Sequence, residues 1–204
     1  MQHTPITAHE RTVGQSADDL ASLVARARAG DAAAFAVLYR RHIAAVYAFA
    51  ARQLGDRERA EDATQEVFTR ALAGIGRCRN DAAFAGWLFG IARHVVAEQH
   101  KANRHRTSSL DLMAEPVDPG FSPEERALAR EQGDELRRAR ERCLTDSERA
   151  LFDLLLAGLA DAQIAVALGR RPGAIRTAHW RLLLKLRGCL SVRNRGKGVG
   201  HAAV

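Results

Sequence analysis

Residues 158–169 read GLADAQIAVALG, and residues 170–187 read RRPGAIRTAHWRLLLKLR. The first stretch predicts a short helix that ends at Gly169, and Pro172 predicts the first turn of a longer helix. The residues predicted to form the inner face of the longer helix are Ile175, Leu182, Leu183 and Leu186. Two helices joined by a tight glycine turn, the second basic and amphipathic, are typical of a helix-turn-helix that reads duplex DNA.

The second of these helices is strongly basic. Between residues 170 and 187 there are six basic residues and no acidic one. Side chains near the start of such a helix reach base edges, and those further along reach the backbone. The residues predicted to contact DNA are Arg170, Arg171, Ala174, Arg176, Thr177, His179 and Arg181. The alternative is a basic helix that pairs with acidic residues elsewhere in the chain, and Trp180 either packs inward or lies over the DNA backbone.

The rest of the chain also has helical periodicity, and strand-like alternation is absent. Asp31 and Asp56 are predicted to cap two helices, and a third is predicted from about residue 82 to 100. Thr145 and Glu148 have the spacing of a capping box. We therefore predict an all-α fold with two small domains, a helical bundle and a helix-turn-helix domain.

The distribution of charge predicts the domain boundaries. The 204-residue chain has a net charge of +7 and a pI of about 10.1, which favours a polyanionic partner. Residues 17–106 carry +4, residues 107–124 carry −4, and residues 125–190 carry +4. The predicted order is a disordered tail (1–16), a first domain (17–106), a flexible acidic linker (107–122), a second domain (123–190) and a basic flexible tail (191–204).

Several classes of protein are disfavoured by composition. The three cysteines are far apart and lack Cys-x-x-Cys spacing, so we expect reduced side chains rather than a disulfide framework or zinc site. The eight histidines show no His-x-x-x-His pair. We expect no metal, no cofactor and no enzymatic activity. No apolar run approaches the ~20 residues that a membrane span needs, and the first residues do not resemble a secretion signal, so we expect a cytoplasmic protein without membrane insertion.

An acidic helix face is unexpected in the basic first domain. Residues 55–72 read GDRERAEDATQEVFTRAL. Three- and four-residue spacing places Glu58, Asp62, Gln65, Glu66 and Thr69 near one face. This face is unsuited to DNA, so it is either a solvated surface or a docking surface for a basic protein.

A basic polar loop at residues 74–81 precedes an aromatic-rich helix that begins FAGWLFGIARH at residues 84–94. This combination suits single-stranded nucleic acid, because aromatic rings stack on bases while cations bind the backbone. Taken singly, Phe84, Trp87 and Phe89 are more typical of a core.

Two motifs in this order carry a family resemblance. The run EDATQEVF at residues 61–68, followed by FAGWLFGIAR at residues 84–93, resembles region 2 of the extracytoplasmic-function (ECF) sigma factors of bacterial RNA polymerase. Residues 144–186, centred on QIAVALG at 163–169, resemble region 4 of that family. The resemblance covers about residues 20–106 and 125–190.

The resemblance implies three sets of site residues. Those implied to dock on the polymerase β′ coiled coil are Glu58, Glu61, Asp62, Gln65, Glu66, Phe68 and Thr69. Those implied to melt and hold the single-stranded −10 element are Arg77, Arg79, Asn80, Asp81, Trp87, Arg93, His94, Lys101 and Arg104. The second domain would read the −35 duplex through its helix-turn-helix and sit on the β flap, and an anti-sigma protein would hold the free factor, at the membrane in some cases.

Two positions depart from the family pattern. His94 stands where the family often has Asn, and residues 171–175 read RPGAI where a small residue and Gly-Thr-Val are frequent. The −35 sequence therefore cannot be transferred from relatives. The main alternative is a helix-turn-helix repressor or activator that binds duplex DNA without polymerase. It leaves the two region 2 motifs unexplained.

Overall fold

The computed structural model describes residues 19–78, 83–103 and 123–197. Every regular element in these ranges is helical. The helices are α1 (residues 19–28), α2 (Ala32–Leu54), α3 (Arg57–Gly74), α4 (Phe84–Asn103), α5 (Pro123–Cys143), α6 (Asp146–Leu156), α7 (Asp161–Leu168) and α8 (Pro172–Lys197), with a 3-10 turn at Ile75–Arg77. The all-α prediction is confirmed.

The predicted helix ends are set by local side chains. The Asp31 carboxylate accepts hydrogen bonds from the backbone N–H groups of Ala33 and Ala34, at 2.9 and 3.1 Å. Asp56 accepts one from the Arg59 N–H at 2.8 Å. Thr145 and Glu148 form the reciprocal capping box. The capping predictions are therefore confirmed.

The first domain, α1 to α4, packs around aromatic and aliphatic side chains of α2 and α4. Phe84 and Leu88 are fully buried, as is Val46 from α2. The rings of Phe49 and Phe89 meet edge to face with their centroids 5.5 Å apart. These contacts hold α2 and α4 together. The face of α3 that carries Asp62 and Gln65 is exposed.

The second domain, α5 to α8, has its core where the helix-turn-helix helices cross. Ile164 of α7 and Ile175 of α8 are fully buried, and Leu182 and Leu186 continue the buried stripe. The prediction that Leu183 faces inward is wrong, because this side chain is 54% exposed. Leu182 and Leu186 follow Ile175 at near-integral helical turns, whereas Leu183 falls on the flank of the stripe.

Two further expectations are corrected. Cys143 at the end of α5 and Cys189 in α8 form a disulfide, with their Cα atoms 6.7 Å apart. They are 46 residues apart in sequence, so only the packing of α5 against α8 brings them together. The tail was expected to be flexible from residue 191, but α8 continues to Lys197. No proline follows Pro172 to stop it.

The two domains contact each other directly, mainly through α4 and α7. The helix-turn-helix domain therefore lies against the helix predicted to bind single-stranded DNA. The predicted N-terminal tail (1–16), the acidic linker (107–122) and residues 198–204 lie outside the described residues.

Candidate functional site

The exposed face of α3 presents the side chains predicted to dock on polymerase. Glu58, Asp62, Gln65 and Thr69 are all exposed. Within the part of the chain that the structure describes, the Asp62 and Gln65 side chains have no protein hydrogen-bond partner. They are therefore available to a partner, and they lie at the centre of the face.

The acidic residues on the two edges of this face are paired within the domain. Glu61 binds Arg57 at 2.7 Å, and Glu66 binds Arg70 at 2.6 Å. Arg70 also reaches Glu98 of α4 at 2.8 Å. The hydrogen bond from Arg70 holds the pKa of the Glu98 carboxyl below its ordinary value. The pair of Arg70 with Glu98 joins α3 to α4, whereas the other two lie within α3. Asp62 remains as the carboxylate at the centre of the face with no cation of the described residues bound to it.

The structure separates Phe68 from the other docking residues and adds Leu72. Phe68 is 5% exposed and packs edge to face on Tyr39, with ring centroids 4.6 Å apart, so it supports α3 from within. Leu72 is 56% exposed and follows Gln65 and Thr69 at three- and four-residue steps. The sequence analysis did not single out Leu72. Its position three residues after Thr69 and seven after Gln65 was the available signal, because these steps keep it on the same helix face.

The residues predicted to bind the −10 element differ in their accessibility. Arg77, His94 and Lys101 are exposed, and His94 Nδ1 lies 2.8 Å from the Gly90 carbonyl oxygen. Trp87 is half-buried, with its ring centroid 5.8 Å from that of Phe84. Phe84 and Phe89 are core residues. The remaining predicted residues, Arg79, Asn80, Asp81 and Arg104, lie outside the described residues.

Gly86 of α4 allows α7 to approach closely, and Gly90 lies one turn further along the same contact. A Cβ atom added at Gly86 would lie within 3.0 Å of the Gln163 Cα and carbonyl carbon, and closer still to the carbonyl oxygen. One turn later, a Cβ on Gly90 would lie 3.8 Å from the Ala167 Cα. Because Gly86 and Gly90 are four residues apart, as are Gln163 and Ala167, the two helices meet along matching faces.

Arg93 completes this contact by binding the end of α7. Its Nη1 donates to the Ala167 carbonyl oxygen at 2.9 Å. The last carbonyls of a helix lack partners within the helix, and a cation there also complements the helix dipole. Burial, with the nearby charge of Arg170, lowers the pKa of the Arg93 guanidinium. Arg93 is therefore engaged by the second domain in this arrangement.

A buried polar contact links the domains a short distance away. The Asp153 side chain is 1% exposed and binds Arg140 through two hydrogen bonds of 2.8 and 2.6 Å. Asp153 also accepts a hydrogen bond from the Gln53 side-chain amide of α2. Pairing with Asp153 raises the pKa of the Arg140 guanidinium. No local pattern in the sequence indicated this cluster, since its members come from α2, α5 and α6.

The predicted duplex-reading residues are mostly exposed on α8. Ala174, Arg176, Thr177 and Arg181 are exposed near its start, as is Arg171 just before it. Three members of the set are bound within the domain. His179 Nδ1 lies 2.8 Å from Asp161, and Arg170 donates to the Ser147 hydroxyl at 3.0 Å. The Thr177 hydroxyl donates to the Gly173 carbonyl oxygen at 3.1 Å.

Trp180 is 63% exposed beside these residues, so it does not pack inward. The alternative in which α8 pairs with acidic residues holds for Lys185, which binds Glu148 at 2.7 Å.

Over the described ranges, no group of three His, Cys, Asp or Glu side chains is placed to hold a metal ion. None of the helices described is both long and apolar enough to cross a membrane.

Comparison with known proteins agrees with the resemblance to sigma factors found in the sequence. The Sigma-70 region 2 family model matches residues 38–106. SigD of Mycobacterium tuberculosis, an ECF RNA polymerase sigma factor, is 30% identical over 177 residues, covering 82% of this chain and 82% of that protein. ShbA of Streptomyces griseus, another such factor, is 35% identical over 133 residues, covering 62% of this chain and 69% of ShbA. The chain belongs to the ECF RNA polymerase sigma factors.

Two further similarities describe sequence and fold. BldN of Streptomyces coelicolor, also an ECF sigma factor, is 35% identical over 168 residues, which are 80% of this chain and 63% of BldN. This chain thus matches less than two thirds of the length of BldN. A solved structure of CnrH in complex with the cytosolic domain of CnrY is 23% identical, with a TM-score of 0.60, and covers 85% of this chain and 98% of that one. That likeness concerns the fold.

Proposed function

We propose that this protein binds core RNA polymerase, recognises the −35 and −10 elements of a promoter, and promotes promoter melting at the start of transcription. It does so by binding, without catalytic chemistry of its own. The observation that carries the proposal is the exposed α3 face of a chain that belongs to the ECF sigma factors. Asp62 and Gln65 occupy its centre without partners in the described chain.

The α3 face has the properties of a docking site for the basic β′ coiled coil. An exposed carboxylate and amide can bind cations of a partner, and the exposed Leu72 adds apolar area at one end. Neighbouring Glu61 and Glu66 are already neutralised by Arg57 and Arg70, so they contribute less. We therefore assign the main polymerase contacts to Asp62, Gln65 and Leu72.

DNA binding is divided between the domains. Arg171, Arg176 and Arg181 stand exposed on the basic side of the helix-turn-helix, which fits the phosphates and base edges of a −35 duplex. Arg77 and Lys101 of the first domain would bind the backbone of the melted −10 strand, next to the half-buried Trp87. The second domain would also sit on the β flap of the polymerase.

The role of Arg93 at the −10 element depends on the domain contact. In the structure α4 and α7 are in contact, which we call the closed arrangement, and the Arg93 guanidinium donates to the Ala167 carbonyl oxygen. The same group can bind a DNA phosphate only after α7 leaves α4. We therefore infer that the closed arrangement is not the DNA-melting one, and that polymerase and promoter separate the two domains. An anti-sigma partner would bind against both domains and hold the free protein before polymerase binds.

The proposed place of action is the cytoplasm, where core polymerase and the chromosome are, with an anti-sigma partner able to hold the protein at the membrane. The first experiment is run-off transcription from a genomic promoter library, with purified core polymerase and with or without this protein. New start sites that share paired elements near −35 and −10 are expected only when the protein is present.

A matched set of variants tests the docking face. The double substitution Asp62→Arg with Gln65→Ala should abolish the new products while leaving duplex binding intact. Glu131→Arg makes the same charge change at an exposed position of α5 and should leave transcription unchanged. No initiation by the wild type, together with tight binding of duplex DNA by the protein alone, would contradict the proposal and favour a repressor or activator that acts without polymerase.

A further inference from the structure

We propose that Cys143 and Cys189 form a reversible oxidation site that stabilises the helix-turn-helix domain when a peroxide converts the two thiols into a disulfide. The inference rests on the position of this pair in the fold. It does not depend on the DNA-binding or polymerase-binding roles proposed above.

The two cysteines are close enough to be linked without a change in the backbone. Their Cα atoms are 6.7 Å apart, within the range in which disulfides occur. Both side chains are half-buried, so a small oxidant can reach them, whereas Cys78 of the first domain is 2% exposed. The site is therefore a specific pair in the second domain.

Burial of neighbouring residues keeps the two helices in register for the bond. Leu144 follows Cys143 and is 4% exposed, and Leu186 lies one turn before Cys189 and is 6% exposed. The ion pair between Lys185 and Glu148, at 2.7 Å, fixes α8 against α6, the helix that follows Cys143. These contacts position the two thiols whether or not they are bonded, which favours closure of the pair over bonding to another chain.

The bond encloses the elements that define the domain. The closed loop spans 46 residues and contains α6, α7 and the first eighteen residues of α8. Cross-linking a loop of this length removes much of the conformational freedom of the unfolded chain. The oxidised domain is therefore more stable than the reduced one, although their native contacts are the same.

The chemistry is a two-electron oxidation. One cysteine thiolate attacks a peroxide oxygen, breaking the O–O bond and forming a sulfenic acid, and the leaving oxygen takes a proton to become water or an alcohol. The second thiol attacks the sulfenic sulfur, forms the S–S bond and releases water. A dithiol reductant reverses the reaction by exchange and is itself oxidised to a disulfide. In the cytoplasm such a pair is transient, as expected of a redox-responsive site rather than a permanent cross-link.

The test uses the full chain, first reduced with dithiothreitol and then treated with hydrogen peroxide. Mass spectrometry and thiol alkylation should show the loss of two hydrogen atoms and a link between Cys143 and Cys189 within one chain. Amide hydrogen exchange in α6 to α8, measured as the temperature is raised, gives the midpoint of thermal unfolding of the second domain. This midpoint should rise by at least about 8 °C on oxidation. Dithiothreitol should reverse both changes.

Variants separate this pair from other effects of peroxide. Cys143→Ser and Cys189→Ser should each abolish the shift in unfolding temperature, and Cys78→Ala should retain it. The proposal is overturned if both thiols stay open to alkylation after peroxide, if the bond forms between chains, or if the bonded and reduced wild type unfold within about 2 °C of each other. The last comparison needs no variant, so poor folding of a substituted chain does not remove the test.

Discussion

Substituting Gly86 by alanine should push α7 away from α4 and separate the two domains. The new Cβ would lie within 3.0 Å of three backbone atoms of Gln163, closest to the carbonyl oxygen, and these cannot rotate away as a side chain could. An ordinary contact needs at least 3.4 Å, so α7 must recede by roughly 1 Å.

The cost follows from the contacts next to Gly86. The displacement stretches the 2.9 Å hydrogen bond from Arg93 to the Ala167 carbonyl oxygen, and a bond from a charged donor contributes about 1.5–3 kcal/mol. It also loosens the packing of Gly90 against Ala167. The higher helix propensity of alanine, about 1 kcal/mol, stabilises α4 equally whether or not the domains are in contact, so it cancels from this comparison. We expect the closed arrangement to lose about 2 kcal/mol relative to the separated domains, so the ratio of closed to separated molecules falls roughly 30-fold.

Amide hydrogen exchange along α4 and α7 in the full chain measures this change. Gly133→Ala is the matched control, because a Cβ at Gly133, within α5, meets open space. It should add about 1 kcal/mol of helix stability to α5 and therefore slow amide exchange in that helix. Faster exchange in α7 of the Gly86→Ala variant, with α8 protected as in the wild type, is the expected result. Exchange in α7 equal to that of the wild type would refute the argument from close approach.

Two further substitutions test contacts within the second domain. Asp153→Ala should lower the free energy of unfolding, measured by urea denaturation, by about 2–3 kcal/mol. The loss is less than for a fully buried pair because Arg140 is 20% exposed. Asp134→Ala, which removes an exposed ion pair, is the control, and an equal loss in the two variants would count against this account. Hydrogen bonds from Lys185 and from the Thr145 N–H lower the pKa of the Glu148 carboxyl. The stability that ionised Glu148 contributes is therefore complete above the ordinary pKa of 4.5 and is lost as the pH falls through the lowered pKa. Glu148→Gln should therefore reduce stability at pH 7 and flatten the decline below about pH 5 in a pH series of thermal melts, and an unchanged decline would disprove this assignment.

Much of the fold could be predicted because its signals are local. A capping carboxylate at Asp31, the box formed by Thr145 and Glu148, and the glycine that ends α7 each act over a few residues. Apolar spacing within one helix likewise predicted that Ile175, Leu182 and Leu186 of α8 would be buried. The acidic α3 face and the basic α8 face could be identified in the same way, since charge and helical period are properties of a single segment.

Only the tertiary structure decided which of these faces meet one another. Leu72 and Leu183 are apolar yet exposed, because exposure depends on whether another helix covers the position. The pairing of Cys143 with Cys189 depends on the packing of α5 on α8, and the binding of Arg93 to the Ala167 carbonyl depends on the packing of α4 on α7. These contacts join residues far apart in the chain, and no sequence period encodes such a distance. The sequence by itself determined the helices and the chemistry of their faces, whereas their long-range packing determined which functional residues are available.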